Sequence, residues 1–321
     1  MSELLQADMP KPDLPGVEVW RGGVTPWQCD EMGHMNVRFY LAAANEGLAN
    51  LAALMGMPRA FTPGASSTLL LQEHHVRFLK EARPGAGLVM TGGVLAMGES
   101  TATLLLLLFH ASGEPAAAIT AKVMHVTPRD MRAFPWTRAA REMAPELTIQ
   151  APEFALARSV PQDPVTTGAS LKAADDLGLD RAATGAVTQA DCDVFGRMLP
   201  EQVLARIYAS VGHILRGSQE AMLKAQPDLE GRLGGAAVEY RVIYHAWPGA
   251  GARLEMRSGH RDLTPKYRRV IHWLLDPTSG RPWATAEMVS LFLDLKARRS
   301  LTVADSTLAV MGIEPIPSLG L

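Results

Sequence analysis

Apolar positions in the first third of the chain fall into two patterns. Tyr40, Leu41, Ala44, Leu48, Leu51, Leu54 and Met55 recur at steps of three and four, the period of one helix face. Asn36 stands before them as an N-cap, Gly56 follows where a C′ glycine belongs, and Pro58 prevents continuation. The spacing predicts a helix from about Val37 to Met55, ~28 Å long. Its other side carries Ala42, Ala49 and Ala53 with Arg38, Asn45, Glu46 and Asn50. So wide an apolar side on so long a helix needs a sheet wrapped around it. The strands are available: Val17–Thr25 before the helix, then Thr68–Lys80, Gly87–Met97, Thr101–Ala111 and Ala116–Thr127 after it. "RPGAG", "GES" and "SGEP" are the turns. The unbroken apolar run Leu104–Phe109 predicts a strand buried on both faces.

The chain then repeats itself. Val24-Thr25 recurs as Val187-Thr188, an offset of 163, which also places Cys29-Asp30 on Cys192-Asp193, Gly33 on Gly196 and Met35 on Met198. "PGAG" at 84–87 returns at 248–251, an offset of 164, and Gly113-x-Pro115 returns as Gly280-x-Pro282, an offset of 167. Pairs in the same order with a slowly drifting offset indicate a duplicated domain. In the second copy Pro200 opens a helix with a stripe of Val203, Leu204, Ile207, Tyr208, Val211, Ile214 and Leu215, which Gly217 is expected to end. Strands are expected near 236–247, 252–262, 266–276 and 283–295. Six prolines between 128 and 165 mark the connection, with room for a short helix around Thr137–Met143. The expected organisation is a domain over 1–135, a Pro-rich linker over 136–165 and a second domain over 166–321, ending in a loose tail, "MGIEPIPSLGL".

Composition narrows the function. The 321 residues carry a formal net charge of −2, with 47% hydrophobic and 20% charged residues. No Lys/Arg cluster points to nucleic acid or to an anionic membrane surface. No apolar run is long enough to span a bilayer, and "MSELLQADMPKPDLPG" does not read as a secretory signal. Two cysteines, Cys29 and Cys192, make neither a disulfide scaffold nor a zinc site and fit a reduced, cytoplasmic setting. They read as small packing residues beside the turn.

The chemistry concentrates in "WQCDEMGHMNVRFY", where Asp30, Gly33, His34, Met35 and Asn36 immediately precede the first helix. Taken alone, Asp30 is a turn or capping residue and His34 a structural histidine. Adjacent His74 and His75 would point to opposite faces of a strand, which disfavours a shared metal.

A strand, a long helix and four strands, with D-x-x-G-H-x-N before the helix, resembles the hotdog-fold acyl-CoA thioesterases of the 4-hydroxybenzoyl-CoA thioesterase type. Asp30, Gly33, His34, Asn36 and Tyr40 carry the resemblance, and "HHVRFLKEARPGAGL" (His74–Leu88) looks like the family's second strand and turn. The resemblance covers both halves. It implies an α+β double hotdog, two copies of a long central helix wrapped by an antiparallel sheet, with sites at the interface between the copies. It also implies an acyl-CoA substrate and no cofactor or metal. Under it, Asp30 is the candidate nucleophile or general base, and His34 orients it, binds the carbonyl or protonates the leaving thiolate. The helix N-terminus over Gly33–Asn36 is the candidate oxyanion stabiliser. Gly33, Met35 and Asn36 are the expected substrate contacts, with Asn36 chiefly the cap. The second copy keeps Asp193 and Gly196, but Arg197 replaces His34 and Leu199 replaces Asn36. Either Asp193 and Arg197 form a modified second site, with Arg197 pairing a carboxylate or a CoA phosphate, or that site is degenerate, the favoured reading. The competing readings are an enoyl-CoA hydratase or dehydratase and a non-catalytic acyl-CoA-binding module. Two such chains are also expected to be able to associate as a homodimer through their sheets.

Overall fold

The computed structural model describes residues 14–321, apart from the side chains of residues 215 and 216. The reading of the N-terminal segment and the side chain of Leu215 lie outside what it describes. The first copy runs β1 (Val17–Gly23), α1 (Val37–Leu54), β2 (Thr68–Phe78), β3 (Gly87–Met97), β4 (Thr101–His110) and β5 (Pro115–Val126). A connection holding α2 (Arg138–Met143) and α3 (Leu171–Asp176) leads to the second copy. That copy runs β6 (Asp180–Ala186), α4 (Glu201–Ala225), β7 (Leu233–Tyr244), β8 (Arg253–Leu263), β9 (Tyr267–Leu275) and β10 (Pro282–Asp294). A two-residue β11 (Arg299–Ser300) and α5 (Asp305–Val310) close the chain.

All strands join one antiparallel sheet in the order β1-β3-β4-β5-β2-β7-β10-β9-β8-β6, with β11 on β10. Each copy curls its half around its own helix, and β2 pairs with β7 at the junction. There Val76 lies opposite Tyr240, 164 positions later, the offset that also relates the two "PGAG" turns. The copies therefore meet about a pseudo-twofold axis, as two identical subunits would.

Asn36 Oδ1 accepts the Arg38 amide and starts α1, and Gly56 ends it at φ +82°. Leu41, Leu51 and Met55 are fully buried against the sheet. Leu54, expected on the buried side, is the last residue of α1 and is 42% exposed. Leu104 to Phe109 are buried on both faces. The inner members meet α1, while Leu105, Leu107 and Phe109 pack under Ile149 and Phe154 of the connection.

Two expectations fail. Gly217 does not end the second helix, which continues to Ala225. A helical glycine costs only about 1 kcal/mol, and the following turns are held by Met222, buried with Phe292 and Met311. The C-terminal residues are not loose either. Leu319 and Leu321 are buried, Ile316 N–H donates to His260 O, and Trp273 Nε1 donates to Gly320 O at 2.8 Å. They cover the outer face of β8 and β9 with α3, as the connection covers that of the first copy. Short α3, α5 and β6 were not anticipated from the pattern.

On the outer face of the junction, Arg241 grips Glu73 through two contacts of 3.0 and 3.1 Å, and His75 Nε2 lies 2.7 Å from Glu239. The connection closes over them. Glu239 accepts the amides of Arg158 and Ser159, and Arg241 donates to Pro161 O and Asp163 O. His74 points inward to Tyr244, 3.0 Å away, so the two histidines face opposite sides of the sheet.

Candidate active site

The loop before α1 is a tight reversal. Gln28 Oε1 accepts both the amide and the hydroxyl of Thr25. Asp30 N–H donates to His34 O and Gly33 N–H to Asp30 O, each at 3.0 Å. Gly33 closes the reversal at φ +75°, in the left-handed region that a side chain would strain. This brings Asp30 and His34 to one side, with His34 Nδ1 3.2 Å from Asp30 Oδ2. Asp30 Oδ1 accepts the Met32 amide at 3.0 Å. The Asp30 side chain is 4% exposed. Its burial pushes the carboxyl up from the usual 3.8, against the pull of His34 and the Met32 amide.

Residues outside the motif complete the surroundings. His34 Nε2 lies 4.0 Å from Glu81 Oε1, and Arg298 of the second copy holds Glu81. Tyr208, on α4, donates to Glu31. The reversal is thus clamped by both copies. Glu81 and Tyr208 were missed in the sequence, because nothing in their local pattern shows which copy they face. Of the basic residues near the second strand, Arg77 is taken by Phe154 O and Leu156 O, and Lys80 by Glu114.

The amides expected over Gly33–Asn36 are mostly engaged. Met35 N–H donates to Ala82 O and Asn36 N–H to Gln28 O. The Val37 amide has no acceptor among the described residues, and Val37 lines the cavity beside Asp30. Met35 also lines it, whereas Gly33 and Asn36 do not. Gly33 shapes the loop and Asn36 caps the helix.

The cavity has a volume of about 450 Å³. It opens at Asp30, His34 and Glu81, then runs beneath α4 against β7, β9 and β10 of the second copy. The sequence explains why it lies there. At the offset of 164, Leu69-Leu70-Leu71 of β2 correspond to Leu233-Gly234-Gly235, followed by Ala236-Ala237. All four small residues line the cavity. Under α1 the matching space holds Leu41, Leu51, Leu104 and Leu106, none of them exposed. The "GGAA" run was the legible signal for the chamber and went unread.

The second loop repeats the reversal. Asp193 N–H donates to Arg197 O, Gly196 N–H donates to Asp193 O, and Gly196 takes φ +78°. Its carboxylate is occupied, however. Oδ2 accepts Arg197 Nε at 2.9 Å and Nη2 at 2.8 Å, and Oδ1 accepts the Phe195 and Arg197 amides. Asp193 and Arg197 do not line the chamber. Among the described residues there is no cluster of His, Cys, Asp and Glu that could hold a metal ion, and no helix long and apolar enough to cross a membrane.

The fold has solved counterparts of nearly the same extent. One is a 12:0-ACP thioesterase from Umbellularia californica, with a TM-score of 0.63 and 11% identity over 84% of this chain and 92% of that one. Another is an acyl-ACP thioesterase from Bacteroides thetaiotaomicron, with a TM-score of 0.59 and 9% identity over 84% of this chain and 96% of that one. At such identities the likeness is one of fold. No curated protein matches the chain. A family model described as the thioesterase-like superfamily matches residues 24–147 and again 187–311. With one match on each copy, together covering most of its length, the chain belongs to the thioesterase-like superfamily as a duplicated, double-hotdog member.

Proposed function

We propose that the protein hydrolyses an acyl-CoA thioester to the free acid and CoA. The observation that carries this reading is the buried Asp30–His34 pair at the mouth of a largely apolar chamber, beside the unengaged amide of Val37. The acyl chain occupies the chamber under α4 and the thioester carbonyl rests at the mouth. The Asp30 carboxylate attacks the carbonyl carbon or takes a proton from the water that does. The Val37 N–H, at the positive end of the α1 dipole, faces the oxyanion that develops. As the C–S bond breaks, the proton taken from water passes from Asp30 through His34 to the leaving thiolate; after direct attack the thiolate takes its proton from solvent, and water then opens the Asp30–acyl anhydride to the free acid. On this reading the second loop is a structural relic, since its carboxylate is held by Arg197. A homodimer of double-hotdog chains remains part of the proposal.

The test is release of free CoA from a panel of acyl-CoA esters, with wild type beside Asp30→Asn. The expected result is hydrolysis by wild type and a loss of about 10²–10⁴-fold in the variant. A protein that binds the esters without releasing thiol would be a binding module, and one that hydrates enoyl-CoA a hydratase; either result overturns the proposal. Single turnover in heavy-oxygen water separates the two routes. Label in Asp30 identifies direct attack with water opening the anhydride at the Asp30 carbonyl, whereas base-activated water leaves it only in the product acid.

A further inference from the structure

The chamber walls are largely apolar, and among the described second-copy residues that line them Arg268 alone carries a charge. Arg268, on β9, faces inward directly opposite Ser290 of β10. Its guanidinium lies 5.5 Å from the ring centre of Phe292. It extends toward β7 where Gly235 leaves it room. A Cβ at position 235 would fall 2.7 Å from Arg268 Nη2 and 3.5 Å from Ser290 Oγ. The group is partly buried, its Nε shut off from solvent, and it borders the chamber. Burial lowers its pKa to about 10, so it stays charged at neutral pH.

That charge has no counter-ion among the described residues. Among the described residues Arg268 makes no ion pair or hydrogen bond, and its Nε is buried without a partner. The acidic residues lining the chamber, Asp30, Glu31 and Glu81, all belong to the first copy at the mouth. The contrast with Arg269, on the outer face of the same strand, is direct: it pairs with Glu287 and donates to Ser159 O. Farther along β9, His272 has an unpartnered Nε2, and its ring is pushed down to about 3 by burial and is therefore neutral. A guanidinium drawn out of water without a partner is destabilising, and a methionine would occupy the site without that cost. The missing partner is therefore supplied by what enters the chamber.

On the hydrolase reading above, we infer that the acyl group ends in a carboxylate, which Arg268 binds at the end of the chain remote from the thioester. A guanidinium fork matches a carboxylate with two parallel hydrogen bonds, and Ser290 Oγ lies beside it. β9 is three strand spacings from β2, about 14 Å across the sheet, so the ligand is an extended ω-carboxyacyl chain rather than a short acid.

The test compares kcat/KM for adipoyl- against hexanoyl-CoA and suberoyl- against octanoyl-CoA, pairs that differ only at the far end. Wild type is expected to prefer the carboxylated ester by about tenfold or more. Arg268→Met is expected to lose about a hundredfold on the carboxylated esters and to reverse the preference, and Arg268→Lys to keep part of it. A wild-type preference for the uncharged esters, or a preference unmoved in Arg268→Met, overturns the inference and leaves the hydrolase reading standing. If Arg268→Met does not fold, the wild-type preference alone decides. If wild type releases no CoA from any ester, the hydrolase reading fails and thermal stabilisation decides. A larger rise in Tm with suberoyl- than with octanoyl-CoA in wild type, absent in Arg268→Met, supports the carboxylate site; equal rises overturn it.

Discussion

The difference between Asp30 and Asp193 is a matter of what each carboxylate touches. Both sit in the same reversal, closed by a left-handed glycine. Asp30 faces one imidazole and one amide inside a cavity mouth, whereas Asp193 is held by a guanidinium through two contacts. Asp193→Asn should leave CoA release within about twofold of wild type and lower stability, since it strips a partly buried Arg197 of its partner. The pair of assays, thiol release and urea midpoint, tests both parts. Burial raises the Asp30 pKa above 3.8, so the carboxylate is protonated at a pH where an ordinary aspartate would still be ionised, and on the proposed mechanism activity is lost with it. The acid limb of kcat/KM should therefore lie above that value, and a pH–rate profile reads it directly. The motif residues were legible because D-x-x-G-H-x-N is local. Glu81, Tyr208 and Arg268 were not, because each reaches its neighbours only through the sheet or across the copies.

Among the elements, β7 shows how one repeat became hollow. Gly234 and Gly235 stand where β2 carries Leu70 and Leu71, and Ala236 and Ala237 where it carries Gln72 and Glu73, so α4 rides over a void and α1 over a packed core. Ala237 lies opposite Ser290. Ala237→Leu should shorten the longest acyl group accepted without lowering Tm, because it fills space rather than displacing a neighbour. A chain-length series with a melting curve checks both. Strand and helix positions were largely readable, since periods of 2 and 3.6 are set by the sheet and helix themselves. The length of α4 was not. A glycine signals a helix end only where the next turns lack an apolar partner, and Met222 has one across the fold.

For the whole molecule, the junction of β2 and β7 makes one sheet of two domains. Its outer charges are mutually paired and covered by the connection. Arg241→Ala should lower stability by about 3–5 kcal/mol by leaving Glu73 buried with an incomplete partner set, as urea unfolding would measure. Acid should act on the inside. His74 and His272 are pushed down to about 3 by burial, from 6.5. Their contribution is complete above about pH 6.5 and is lost as the pH falls toward 3, because the unfolded chain binds protons that the folded chain excludes. Tm should fall across that window, and His74→Gln should remove part of the slope. Duplication was visible in the sequence as a drifting offset. The asymmetry of the pair was visible only as Arg197 and "GGAA", two local departures whose joint meaning requires the copies to be placed face to face.

That asymmetry has a genetic consequence. In a symmetric dimer every substitution appears twice, so a change that reshapes the pocket also alters the reacting loop's surroundings at the sister site. On the proposed reading the reacting carboxylate is encoded in the first half of the gene and most of the chamber wall in the second. Selection for a new chain length can act on one half while the other stays fixed, and titration of the protein should end at one ligand per chain.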